Sequence, residues 1–213
     1  MSANRLAAVF ASVVILVSCA VAQERSYDSP NELSATFGRT FVSTQTIQNA
    51  NWFNHEVRFG DEETIGLNYS RLLKTHGIFA LSGEVPLAVV IDMDLNSGRN
   101  LIPENYAALF VAPSARLNFF NEQGVSPWVS FGGGYARFKM AGHLLFGGPN
   151  PGPTSTNTFA LQFGTGLDVF PWHRWGLRLE ARDFWTGVPA LNVDTGRSRQ
   201  HNYYVGGGVI YRF

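Results

Sequence analysis

The sequence predicts an all-β fold, an eight-stranded antiparallel up-and-down transmembrane β-barrel, on three observations. The last stretch, 202–213, alternates: Tyr203, Val205, Val209, Tyr211 and Phe213 point one way, and Tyr204, Gly206, Gly208, Ile210 and Arg212 the other, because strand side chains have period two. Seven further alternating stretches precede it, and an even total returns both ends of the barrel to one side. The connections between stretches run long, short, long, short, long, short, long, which is the asymmetry of outer loops and inner turns.

The N-terminus carries Arg5 as its only charge, then an uncharged run over 6–17 and the small-x-small pattern Ala20-Val21-Ala22. This reads as a signal peptide over 1–22, since a spanning helix needs about 20 apolar residues. Leu16-Val17-Ser18-Cys19 also matches a lipobox, in which case Cys19 is lipidated and becomes the first residue. Cys19 is the only cysteine, so no intrachain disulfide is available and a hydrogen-bond ladder must hold the fold. Residues 23–32 are polar and read as a short periplasmic segment, with the barrel over 33–213.

The strands are expected at 33–44, 63–73, 78–91, 106–119, 125–140, 158–170, 176–188 and 202–213. On the third, Phe79, Leu81, Val85, Leu87, Val89 and Ile91 face out and Ser82 and Glu84 in. On the fourth, Leu109, Val111, Ala115, Leu117 and Phe119 oppose Ser114 and Arg116. The sixth opposes Phe159, Leu161, Phe163, Leu167 and Val169 to Gln162, Gly164, Gly166 and Asp168. The seventh opposes Leu177, Leu179, Ala181 and Trp185 to Arg178, Glu180, Arg182 and Phe184. An Arg at the bilayer midplane costs about 2–4 kcal/mol, so Arg178, Glu180 and Arg182 must face the lumen. Turn positions give Glu84, Arg116, Glu180 and Arg182 similar heights, which predicts a lumenal charge cluster. Gly132, Gly134, Gly164, Gly166, Gly206 and Gly208 share the inward register. They make room for these side chains in a lumen with space only for side chains, or relieve curvature. Arg39 and Asp183 fit the parity poorly, so each calls for a bulge or a position above the bilayer.

The connections at 74–77, 120–124 and 171–175 are tight and carry Gly or Pro turn signals. Those at 45–62, 92–105, 141–157 and 189–201 are long. Within the first long one, 51–59 contains Trp52, Phe53, Val57 and Phe59 and either extends the second strand past a bulge at Gly60-Asp61 or forms a loop hairpin. Aromatics gather near the short turns (Phe119, Phe120, Trp172, Trp175, Tyr211, Phe213) and near the long loops (Tyr106, Phe138, Phe184, Trp185), as interfacial girdles do.

An alternating final strand ending in Phe213, eight strands and unequal loops together resemble the OmpA-like outer-membrane β-barrel family (OmpA, OmpX and OmpW types). The resemblance covers the chain after the signal segment. It implies a monomeric barrel in the outer membrane of a Gram-negative bacterium, with both termini periplasmic and lipid bilayer and lipopolysaccharide as surroundings. It also implies that Tyr211 and Phe213 form the signal read by the outer-membrane assembly machinery. No peptidoglycan-binding domain is expected after the last strand.

Sixteen basic and sixteen acidic residues balance to a net charge of zero, which gives no sign of nucleic-acid binding. Removing 1–22 takes away only Arg5 and leaves 15 basic against 16 acidic, one net negative charge. A mean hydropathy of −0.03 is compatible with membrane residence, because barrel strands show lipid only half their residues. Metal, phosphate-loop and dinucleotide motifs are absent, and no cofactor is expected. Gly132-Gly133-Gly134 sits mid-strand with no helix after it. His55, His76, His143, His173 and His201 are scattered without ligand spacing.

Three functional classes remain. The first is a non-enzymatic structural, surface-interaction or adhesion protein. Its lumen is plugged by charged pairs, and its loops, with Trp52, Phe53, Leu144, Leu145 and Phe146, meet a surface ligand. The second is a narrow pore for ions or small solutes. The third is a lipid A-modifying enzyme, for which His201 with Ser198 and Asp194 is the one cluster of suitable residue types. A His-x-Ser signature of the deacylases is missing.

Overall fold

In the computed structural model, residues 30–49, 55–98, 100–120 and 124–213 are described. The signal-peptide and lipobox readings, with Ala20, Ala22 and Cys19, and the loop aromatics Trp52 and Phe53 lie outside these residues. Eleven strands follow one another: β1 (Asn31–Val42), β2 (Gln45–Thr46), β3 (Glu56–Phe59), β4 (Glu62–His76), β5 (Phe79–Asn96), β6 (Asn105–Val111), β7 (Ser114–Phe119), β8 (Val125–Met140), β9 (Ser155–Val169), β10 (Trp175–Gly187) and β11 (Arg199–Arg212).

Eight of the ladder positions close into a ring. β4, β5, the β6/β7 pair, β8, β9, β10 and β11 neighbour one another in sequence order, and β1 pairs with both β4 and β11, all antiparallel. The seam runs from Glu32↔Arg212 to Val42↔Asn202. Two further bonds, Asn31 N to Phe213 O at 3.2 Å and Phe213 N to Asn31 O at 3.0 Å, tie the last residue into it. This closure leaves the ring without an open edge. β6 and β7 are halves of one barrel strand, broken at Ala112-Pro113 because proline has no N–H to give the ladder. The frame holds across the break, where Ala112 donates to the Pro86 carbonyl and Gly133 to that of Pro113. β1 starts at Asn31, two residues before the expected start, and this brings Glu32 into the wall.

The ends of the ring are unequal. β4–β5, β7–β8 and β9–β10 are joined by short turns, and the first of these holds Gly77 at φ 55°. The other end carries the long connections. In the first of these the two expected alternatives combine: β3 pairs with β2 as a hairpin and, beyond Gly60-Asp61, also continues the sheet along β5 through Arg58↔Asn96 and Phe59↔Leu95.

Side chains partition by parity. Leu33, Phe37, Leu67, Val129, Phe163, Leu179 and Val205 cover the outside, with Phe37 57% and Leu179 64% exposed. Such a wall of apolar residues suits hydrocarbon rather than water. The inside has two layers. Toward the short turns it holds buried charge, and toward the long loops it holds an apolar core of Met93, Tyr106, Phe110, Phe138 and Phe184, roofed by Ile47, Val57, Ile102 and Leu191 from the loops.

That upper layer corrects the expected outer girdle. Tyr106, Phe138 and Phe184 have the inward parity and are buried, and Phe110 stacks on Phe184 at 4.7 Å while Phe138 meets both Phe110 and Tyr106 edge-on. Their placement near loop ends misled because height along a strand says nothing about face. Of the four, only Trp185 lies on the outer face, with Phe41, Tyr135, Phe159 and Tyr203 as its companions there. The lower set does flank the short turns on the outside, where Phe79 meets Phe119, Trp175 meets Tyr211 and Tyr211 meets Phe213.

Candidate functional site

Among the described residues, the buried charges are Glu32, Glu84, Asp168 and Glu180 against Arg116, Arg178, Arg182 and Arg212, four of each sign. All lie in the lower lumen, and their linkage is continuous. Arg178 forks onto Asp168, with Nε to Oδ1 at 2.8 Å and Nη2 to Oδ2 at 2.7 Å, and its Nη1 donates to Ser34 at 2.9 Å. Arg182 donates through Nη1 to Glu84 at 2.8 Å and through Nε to Glu180 at 3.0 Å. Arg116 donates to Glu32 and to Asn118, and its Nη1 stands 3.8 Å from Glu84 and 3.9 Å from Asp168. Arg212 donates through Nε to Glu32 at 2.8 Å.

Neutral groups complete the carboxylates. Glu84 accepts from Asn68, Glu32 from Ser70 and Glu180 from Thr36, whose own hydroxyl accepts from Tyr204. At the centre the Trp128 ring faces three guanidinium groups, Arg182 at 5.0 Å, Arg178 at 5.2 Å and Arg116 at 5.7 Å, while its Nε1 donates to Asp168. Cation–π attraction strengthens when water is excluded. The ring thus lets three like charges share one lumen cross-section.

Space for this comes from the inward glycines, which divide between the two expected roles. In register, Arg178 lies between Asp168 and Gly208, Glu180 between Gly166 and Gly206, and Arg182 between Gly164 and Tyr204. A Cβ at Gly206 would stand 2.1 Å from the Tyr204 hydroxyl, and one at Gly166 would meet both the Leu179 backbone carbonyl at 2.4 Å and the Trp128 ring at 2.5 Å, so that this glycine serves both roles. Gly132, Gly134 and Gly208 meet neighbouring backbone instead, at 2.2, 2.0 and 1.9 Å. There the small barrel bends too sharply for a side chain.

The structure therefore brings Glu84, Arg116, Arg178, Glu180 and Arg182 together. It adds Asp168, Glu32, Arg212 and Trp128, which sequence reasoning left out. Asp168 already had the inward parity. Glu32 fell one residue before the expected strand start, and nothing in the alternation distinguishes Trp128 from any other inward aromatic.

On the outer face, Arg39 and Asp183 need no bulge, since the ladders run through both without a shift. Each lies a few residues below the long-loop end of its strand. Arg39 stands in register with Glu63, and Asp183 Oδ2 is 2.6 Å from His201 Nδ1. This corrects the expected grouping of His201 with Ser198 and Asp194. Ser198 is exposed, and Asp194 instead caps its own turn by accepting from Gly196 N. Above the wall, the Glu62 carboxyl is pushed up by burial and then by Asp94, and that of Asp92 by burial, Asp94 and Glu104. A folded-state carboxyl above its unfolded value destabilises at neutral pH, and that cost is relieved as pH falls.

In the long loops, Leu144 and Leu145 are half-buried, with Leu144 bridged to Pro103, and Phe146 is 63% exposed at the tip. Among the described residues, no cluster of three His, Cys, Asp or Glu has the arrangement to hold a metal, and no helix is long and apolar enough to cross a membrane, which says nothing of a barrel.

No protein-family model matches the chain, and no curated protein matches it in sequence. Solved structures do match. Neisserial surface protein A is similar at 13% identity and a TM-score of 0.52, over 86% of this chain and 97% of that one. The outer membrane protein AlkL, solved in DMPC lipid bilayers, is similar at 14% identity and a TM-score of 0.50, over 90% of this chain and 94% of that one. The likeness is one of fold, an eight-stranded antiparallel β-barrel of the kind these small outer-membrane proteins have.

Proposed function

We propose that this protein is a monomeric, non-enzymatic barrel of the bacterial outer membrane, with both termini in the periplasm. Its lumen is closed by the charged network, and its long loops form the surface that meets a partner. The observation that carries this reading is the pairing of an apolar outer wall with a charge-balanced interior. An apolar outside around a charged inside is the reverse of a water-soluble barrel, and the arrangement is that of a bilayer-spanning strand set. The likeness to a protein solved in lipid bilayers supports it.

The network argues against a pore. Each of the four buried guanidinium groups is held by a carboxylate on another strand or two residues along its own, and eight strands leave room only for side chains. For a lipid A-modifying enzyme, His201 has its carboxylate in Asp183, but the hydrogen bonds of the described residues give it no hydroxyl nucleophile. Loops on a rigid wall are where recognition collects, and lipopolysaccharide is the surface they stand in.

Two measurements test the class. Lipid A acyl composition is expected to be the same with and without the protein, and a change abolished by His201→Ala would establish the enzyme. Planar bilayers holding the purified chain are expected to show no steady single-channel conductance, and a stable unitary step would establish the pore.

A further inference from the structure

We propose that the outer wall carries, at its long-loop end, a site on β8 and β9 that binds the anionic phosphate head of a membrane lipid through Arg137 and Lys139. The inference rests on the reading of this wall as lipid-facing. Both side chains have the outward parity and are exposed, in line with Phe131 and Tyr135 below them on β8. Outward neighbours on a strand are spaced about 7 Å apart, so a guanidinium and an ammonium share one patch. β9 adds neutral donors, since Asn157 is in register with Arg137 and Ser155 with Lys139. The Tyr135 hydroxyl donates to Asn157 Oδ1 at 2.6 Å, which leaves the Asn157 amide N–H groups to face an acceptor.

What the patch lacks is negative charge. Among the described residues neither Arg137 nor Lys139 has a carboxylate within 4.0 Å, whereas the exposed Arg58 is held by Glu56 at 3.1 Å. On the β9 side, the chain carries no Asp, Glu, Lys or Arg from Ala141 to Leu167. On the β6 side, Arg137 faces Leu109 and Lys139 faces the small Ala107. An acidic sector lies beyond, on β4 and β5, where Glu63 is in register with Arg39 and Asp94 with Asn105. Asp183, on β10, is engaged by His201. The rim is thus divided, and its two adjacent cations repel each other until an anion joins them.

Height selects the kind of anion. Just below the pair the wall turns apolar, with Tyr135 and Phe131 on β8 and Phe159 and Phe163 on β9, all exposed. An anion seated here has hydrocarbon beneath it. The species that brings phosphate to the pair and acyl chains to the rings is a lipid of that leaflet. A lipid whose phosphate is already neutralised by its own ammonium gains less, because the pair offers only positive charge and neutral donors.

The test follows the amide resonances of 135–140 and 155–159 by NMR, with the full chain folded in dodecylphosphocholine micelles. Three probes are titrated: dihexanoyl phosphatidic acid, dihexanoyl phosphatidylcholine and inorganic phosphate. Phosphatidic acid is expected to shift these resonances saturably and the other two to leave them in place. Arg137→Gln with Lys139→Gln is expected to weaken phosphatidic acid binding by about 25-fold, about fivefold for each cation near a lipid head. Ala107→Glu, which keeps both cations and sets a carboxylate beside Lys139, is expected to weaken it by about fivefold or more. Equal shifts with phosphatidylcholine, an affinity unchanged in the double variant, or saturation by inorganic phosphate alone would overturn the site. In each of those cases, magnetisation transfer from detergent chains to Phe131 and Phe159 would leave the membrane reading standing. Absence of that transfer would refute the membrane reading and the site with it.

Discussion

Arg178→Met is expected to lower the unfolding free energy of the barrel in detergent by about 3–5 kcal/mol, the cost of leaving a buried charge without its partner. Arg178 is 2% exposed and forks onto Asp168, which is fully buried. Its removal leaves Asp168 with the Trp128 N–H and with Arg116 at 3.9 Å, too far for a hydrogen bond. Removing both charges should recover much of the loss, because a well-packed apolar pair often equals or exceeds a buried ion pair. The measurement is a urea titration followed by tryptophan fluorescence for the single variant and for Arg178→Met with Asp168→Leu. A single-variant loss below about 1 kcal/mol, the level of an exposed pair, would mean that water reaches this part of the lumen.

The second large effect is on the opposite face of the same strand. Leu179→Arg is expected to destabilise the barrel by about 2–4 kcal/mol in phosphatidylcholine vesicles, since a guanidinium near the midplane must be taken from water into hydrocarbon. Leu179 lies between the outward rings of Trp175 and Trp185 along β10, 64% exposed and one residue from Arg178 and Glu180. Adjacent positions on one strand should thus obey opposite rules: charge is required at one and excluded from the next. Equilibrium folding into vesicles measures the effect, and an unchanged free energy would mean that this wall does not meet lipid.

These two positions also show what alternation makes legible. Period two assigns Arg178, Glu180 and Arg182 to the lumen because the strand is regular and uninterrupted from Trp175 to Gly187. It reaches the contents of the network less well. The partners of Arg178 come from β9 and β1, and the parity of one strand does not say which heights on two others coincide. Glu32 was missed because a strand start is visible only through its pairing, here with Ser70 and Arg212. The upper aromatics failed for a different reason. Tyr106, Phe138 and Phe184 are of the types that form interfacial girdles, but strand parity, not residue type, sets the face, and it turns all three inward. On the outside, Asp183 looked like a flaw in the pattern, and the structure gives it a partner from β11, His201, that no local reading supplies.

The central claim is that the chain closes into a barrel that resides in a bilayer, and gel mobility of the membrane fraction tests it most directly. The full-length protein expressed in a Gram-negative cell should sediment with the outer membrane, and unheated samples should migrate differently from boiled ones because a closed ladder resists detergent until heated. Recovery in the soluble periplasmic fraction, with one mobility before and after boiling, would contradict it.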